Sequence, residues 1–212
     1  MSKKYLRRYT DLPSLIYLLR KRKITLDPES WDDTNDSHLL RSYLQKNRLK
    51  SVLALCFIQV AERYHHWRVF ANGSSGVCTR FKRSEILNAV KKKNGLLARP
   101  VKFLKLNEMN GHRLAIEELP FSKRYPFQDE KEFRMVFGSK TVKHSKFDID
   151  IPLSCIAGVT LSPWLHPDMF DHIVRTIKSI EGCGGVKIVR STLINNEDWK
   201  RFGESATPPI AK

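Results

Sequence analysis

An α+β fold, with a single mixed β-sheet and helices packed on it, is what this sequence predicts, and three observations predict it. Strand-like and helix-like segments are interspersed without a regular β-α-β rhythm. One segment, "SVLALCFI" at 51–58, is continuously apolar, as a buried central strand is. Another, "PFQDEKEFRMVF" at 126–137, sets Phe133, Met135 and Phe137 at period 2, the repeat of a strand with one face in a core.

The elements follow in order. "YLRRY" reads as a first short strand, and Asp11 with Pro13 opens a helix whose Leu15, Leu18 and Leu19 recur at helical spacing. "KITL" is a second strand, followed by the acidic loop "DPESWDDTND" and a helix from about Ser37 to Lys46. After the apolar strand, "AERYHHWRVFA" carries Tyr64, Trp67 and Phe70 at helical spacing and ends near the turn "NGSSG". Trp67 and Phe70 are both expected in the core. "VCTRF" alternates as a strand, and "RSEILNAVKKK" is a helix capped by Ser84 and ending in lysines, as the helix dipole favours. "VKFLKL" is a strand, 107–125 fits helix or strand equally, and "FDIDIP" and "IAGVTLS" are strands. A helix from about Asp168 to Ile180 ends at "GCGG", "VKIV" is the last strand, and Asn196 caps a short terminal helix.

With 212 residues, 41% of them apolar, the chain has material for one sizeable core. We expect one globular domain over 1–203 and a tail at 204–212. No apolar run approaches the roughly 18 to 20 residues of a membrane span, and "MSKKYLRRYTDLP" lacks the apolar stretch of a secretory signal. Cys56, Cys78, Cys155 and Cys183 are scattered, with no C-x-x-C pair, which predicts a reducing, cytoplasmic setting with neither disulfides nor zinc. Charge is the loudest signal. Lys and Arg number 38 against 22 Asp and Glu, a formal +16, clustered in "KKYLRR", "RKRK", "KKK" and "SKRYP". Such a surface attracts polyanions, nucleic acid above all, with Lys91, Lys92, Lys93, Lys123 and Arg124 as the expected contacts.

Several common chemistries are excluded. There is no Walker loop, no G-x-G-x-x-G, no H-E-x-x-H and no G-x-S-x-G. His65 and His66 are neighbours on a helix, about 100° apart, so they do not chelate one metal from one face. The acidic loop offers Asp27, Asp32, Asp33 and Asp36 to a divalent cation, but these residue types also suit any tight loop. Glu130, Glu132 and Arg134 remain. On one strand face they sit roughly 7 Å apart, either as an ion-paired brace or as a carboxylate pair that stabilises developing positive charge.

Taken together, four segments resemble a known family. They are "YLRRYTDLPSLIYLLRKRKITLDPESWDDTND", "LALCFIQVAERYHHWRVFANGSSGVCTRF", "DEKEFRMVF" and "IDIPLSCIAGVTLSPWLHPDMFDHIVRTI". Their order and spacing resemble a bacterial and phage domain family of unassigned function, sometimes found near phage-defence genes. The matching positions are Asn35 and Asp36, Cys56 and Phe57, Trp67, Phe70 and Ala71, Gly76 and Val77, and Glu130, Glu132, Phe133 and Arg134. The early strand with Arg7, Arg8 and Tyr9, the helix straight after it, and the late strand entered through E-x-E are more distantly similar to ADP-ribosyltransferases. That resemblance implies an ADP-ribosyltransferase-like fold and NAD as the bound cofactor. Glu132 would stabilise the ribosyl cation with Glu130 as its partner, and Arg8 and Tyr9 would contact NAD. It also implies a role as a toxin or phage-defence effector acting on nucleic acid. Two rival functions stand beside it: a non-catalytic basic nucleic-acid-binding protein, and a metal-dependent nuclease using the loop from Asp27 to Asp36.

Overall fold

The computed structural model describes residues 4–27, 33–71, 73–91, 93–109 and 113–206. In chain order these form β1 (Tyr5–Asp11), α1 (Leu12–Lys21), β2 (Lys23–Leu26), α2 (Thr34–Lys46), β3 (Ser51–Ile58), α3 (Tyr64–Phe70) and β4 (Gly76–Lys82). There follow α4 (Arg83–Lys91), β5 (Leu96–Pro100), β6 (Lys102–Leu104), β7 (Ser122–Arg124) and β8 (Glu132–Ser139). The last are β9 (Phe147–Asp150), β10 (Ile156–Leu161), α5 (Pro167–Lys178), β11 (Ile188–Arg190) and α6 (Glu197–Glu204).

Seven strands make one mixed sheet in the order β11-β10-β4-β1-β3-β8-β5. Only β10 and β11 run parallel; every other pair in it is antiparallel. At its centre β3 and β8 pair from Ser51 opposite Ser139 to Ile58 opposite Glu132. On one side of these strands Leu53, Leu55, Phe57, Phe133, Met135 and Phe137 join Leu6 and Phe81 in the main core, which α1, α4 and α5 cover. Asp11 caps α1 by accepting from the Ser14 N–H at 2.8 Å, and Arg22 closes it in the left-handed region at φ 56°. On the other side, Ala54 and Val136 pack with Phe121 and Leu40 of α2, and Tyr9 packs with Trp67 of α3.

The expected α+β fold with one large mixed sheet is what the chain adopts, and the details differ in instructive places. β2 and β9 pair only with each other, outside the main sheet, as do β6 and β7. β8 is flanked by β3 and by β5 at Leu96–Pro100, and of "VKFLKL" only Lys102–Leu104 is extended. Within 107–125 the described residues are mostly 3-10 turns leading into β7. The strand expected from 126 starts at Glu132. Residues Tyr125–Glu130 form a 3-10 turn, and Lys131 leaves it at φ 43°, a left-handed conformation that breaks the extended run. α4 grows straight out of β4, so Ser84 lies in its first turn instead of capping it. Asn196 does cap α6, accepting from the Trp199 N–H at 2.9 Å. That helix reaches Glu204, and 207–212 lie outside the described residues. Among the described residues no helix is long and apolar enough to cross a membrane.

Candidate active site

One registered pair alone joins β1 to β3: Arg7 opposite Ile58. Ile58 in turn lies opposite Glu132. Paired residues share a sheet face, so Arg7, Ile58 and Glu132 form a row across three strands, with Arg7 and Glu132 roughly 10 Å apart at the backbone. Beyond that pair β1 and β3 are not in register, and a cleft of about 480 Å³ opens beside them. Arg7, Arg8, Tyr9, Phe70, Glu130 and Glu132 all line it. Successive strand residues point to opposite faces, yet both Arg7 and Arg8 reach the cleft, which opens along the edge of β1 that faces β3, while the other edge of β1 pairs with β4 throughout.

Local packing holds α3 as one wall. The Trp67 ring is buried edge-on against Tyr9 at 5.1 Å, and its Nε1 donates to Glu62 at 3.0 Å. Gly76 meets the end of the helix so closely that a Cβ there would lie 2.9 Å from the Ala71 Cβ, which gives Ala71 and Gly76 a steric reason to be small. Trp67 is core, as expected. Phe70 is not: it is 36% exposed and lines the cleft, at the last residue of the seven-residue α3.

The floor is a buried network of three carboxylates and two cations. Arg134, 1% exposed, donates to Glu132 through Nε and, at 3.0 Å, through Nη2; Nη2 also donates to Asp36, and Nη1 donates to the Pro120 carbonyl at 3.1 Å. Lys123 Nζ lies 2.7 Å from Glu130 and 3.5 Å from both Glu132 and Asp36. Glu130 and Glu132 therefore meet through a lysine, not through the pleat of a common strand.

Burial raises the Glu132 carboxyl, but the Arg134 guanidinium, its hydrogen bonds and Lys123 outweigh it and hold the group below the usual carboxylate range. Glu130 and Asp36 go the other way: burial dominates and raises both, against the pull of Lys123 on the first and Arg134 on the second. Lys123 and Arg134 are lowered by burial and raised more by the carboxylates, chiefly Glu132, so both stay charged. Glu132 is thus the most firmly ionised of the three acids. The Tyr9 phenol is pushed up by burial and by Cys78 and stays neutral.

The other sequence candidates fall elsewhere. Lys123, expected as a nucleic-acid contact, has a side chain only 10% exposed that lines the cleft and pairs with the three carboxylates. Lys91 and Arg124 are exposed, Lys93 pairs with Asp150 at 3.7 Å, and Lys92 lies outside the described residues. In the acidic loop Asp27 is bridged to Ala54, Asp33 caps α2, and Asp36 is taken by Arg134 and Lys123; Asp32 lies outside the described residues. Among the described residues no cluster of His, Cys, Asp or Glu is arranged to hold a metal ion. None of the four cysteines is in a disulfide, and Cys56, half-buried in the cleft wall, hydrogen bonds to Glu132. The sequence alone does not single out Arg7 as a site residue, and it offers Asp36 as a loop acid and a family-pattern position with no partner assigned. Arg7 needed the strand register to be found, while Asp36 carried a signal in its place in the family pattern.

No family model matches the sequence, and no curated protein does. Among solved structures, the chain is similar to DarT of Thermus sp. 2.9 in complex with NAD+, at 11% identity and a TM-score of 0.46, over 94% of this chain and 98% of that one. The same protein in complex with ADP-ribosylated ssDNA matches at 11% identity and 0.46, over 94% and 97%.

Proposed function

We propose that this chain is an NAD-dependent ADP-ribosyltransferase acting on nucleic acid. The observation that carries this reading is Glu132, held ionised on the floor of a cleft that Arg7 and Arg8 also line. Three carboxylates against two cations leave that floor one negative charge in excess when all are ionised. At about 480 Å³ the cleft falls within the range of small-molecule sites. Its lining would offer arginines to the anionic pyrophosphate of NAD and an anionic floor to the nicotinamide-ribose end. NAD would supply an N-glycosidic bond whose cleavage builds positive charge on the ribose. Glu132 would stabilise that charge electrostatically, while Arg134 and Asp36 fix its orientation. Glu130, with its carboxyl raised by burial, is suited to take the acceptor's proton. Phe70 and Phe127 would keep water from the ribose carbon.

A second reading has an observation of its own. Glu132 is 4% exposed and both of its oxygens meet Arg134, the arrangement of a structural brace. On that reading the chain is a non-catalytic basic protein that binds nucleic acid. The test is nicotinamide release from NAD by the full chain, with and without single-stranded and duplex nucleic acid. Release that depends on added nucleic acid supports the transferase; protein that neither binds nor cleaves NAD under any of these conditions ends it.

A further inference from the structure

Beside the cleft mouth, α3 carries a second constellation that the network above does not use. The Arg68 guanidinium lies over the Trp164 ring, 4.3 Å from its centroid, and 5.3 Å from the centroid of Tyr64. Its Nε donates to the Tyr64 hydroxyl at 3.0 Å, and the two rings meet edge to face at 5.8 Å. Trp164 is half-buried against the cluster of Tyr9 and Trp67, so the stack is anchored from beneath. Tyr64 is 51% exposed and Arg68 is also exposed, so the anchored stack faces solvent. The next two residues, Val69 and Phe70, line the cleft itself.

We infer that Tyr64, Arg68 and Trp164 form a stacking platform for an unpaired base of single-stranded nucleic acid, placed to lead that strand into the cleft. Three features select this occupant. Apolar protein partners do not call for a guanidinium at the centre of the patch, whereas a base stacks on aromatic and guanidinium planes alike. Charge is complementary: Arg68 stands exposed at the platform, Arg63 beside it is paired with Asp129 at 3.1 Å, and the nearby Glu62 carboxylate is engaged by Trp67 and by Ser191 at 2.9 Å, in a chain of net +16. Duplex bases have both faces covered by their neighbours, so an open stacking surface favours single strands. The direction of the strand toward Glu132 rests on the proposed function; the binding itself does not.

The test is fluorescence polarisation with the full chain, a labelled oligothymidylate of about 20 nucleotides and a duplex of equal length. Arg68→Ala and Tyr64→Ala alter exposed side chains, and each is expected to weaken oligothymidylate binding by roughly tenfold or more, with duplex binding little changed. Arg68→Ala also flattens the salt dependence by about one ion, while Arg68→Lys restores that slope without restoring affinity. Unaltered binding by both alanine variants overturns the platform. So does equal weakening of single strand and duplex, or no binding by wild type near 50 mM salt, on the order of the low-salt regime. Glu132→Gln separates this from the transferase reading. Oligonucleotide binding through Arg68 and Tyr64 in a chain that turns over no NAD leaves the platform standing alone, whereas NAD turnover without such binding removes it.

Discussion

The two faces of β8 are both buried, yet they are built from opposite materials. Phe133, Met135 and Phe137 enter the main core on one side, while Glu132 and Arg134 on the other are shut in with Asp36, Glu130 and Lys123. The first face stabilises the fold by removing apolar area from water, on the order of 2 kcal/mol per large side chain. For the second, desolvation of each ion opposes the Coulombic gain, and well-packed apolar residues would serve stability about as well. Stability alone therefore does not call for charges on that face. The cleft above them does.

That contrast can be broken in graded ways. The largest expected effect is at its centre. Arg134→Ala leaves Glu132 and Asp36 buried without their main partner and should cost about 3 to 5 kcal/mol in a denaturant titration. Replacing both members of the pair, Arg134→Met with Glu132→Leu, should cost clearly less than Arg134→Ala alone; a double variant as unstable as the single one would mean that the pair is a net stabiliser. On the apolar face Phe133→Ala should lose a similar 3 to 5 kcal/mol through cavity formation, with no such rescue from across the strand.

A smaller effect concerns pH. His66 is fully buried beside Tyr9 and His65, and burial first, then His65, lowers its pKa to about 4. The folded value lies below the unfolded one, so its contribution is present above about pH 6.5 and is lost as pH falls through about 4. The loss is on the order of 2 kcal/mol or somewhat more. Glu132, also lowered, adds a loss as pH falls below the usual carboxylate range, whereas Asp36 and Glu130, with raised values, relieve strain as they protonate. A His66→Leu variant should show a flatter stability profile between about pH 6.5 and 4. An unchanged profile would place the acid sensitivity elsewhere.

The smallest expected effect is Phe70→Ala. Sequence reasoning placed this ring in the core, where truncation costs about 3 to 5 kcal/mol. Lining the cleft at 36% exposure, it should cost only about 1 kcal/mol in thermal unfolding while altering ligand affinity.

Trp67 and Phe70 also mark how far the sequence can be read. Helical spacing identified both as apolar positions of α3, and it found the buried one. It had no means of knowing that the neighbouring flank borders a cleft, because that depends on β1 and β3 parting after Arg7 and Ile58. The mixed sheet was legible because period-2 and continuous apolar runs are local signals. The separate pairing of β2 with β9 was not, since partner choice is a long-range property. At the site, the types and order of Glu130, Glu132 and Arg134 were visible. The bend at Lys131, the inward turn of Lys123 and the arrival of Asp36 from α2 depend on backbone geometry that composition does not encode.

Glu132→Gln tests the central claim most directly, because it keeps the shape of the side chain and removes its charge. The measurement is nicotinamide release from NAD in the presence of nucleic acid, beside thermal unfolding of the same preparation. A catalytic Glu132 predicts turnover reduced by roughly two or more orders of magnitude in a protein that remains folded, because the charge acts chiefly on the transition state. A clearly less stable protein whose activity falls only in step with its stability would contradict it, and would make Glu132 a brace for Arg134.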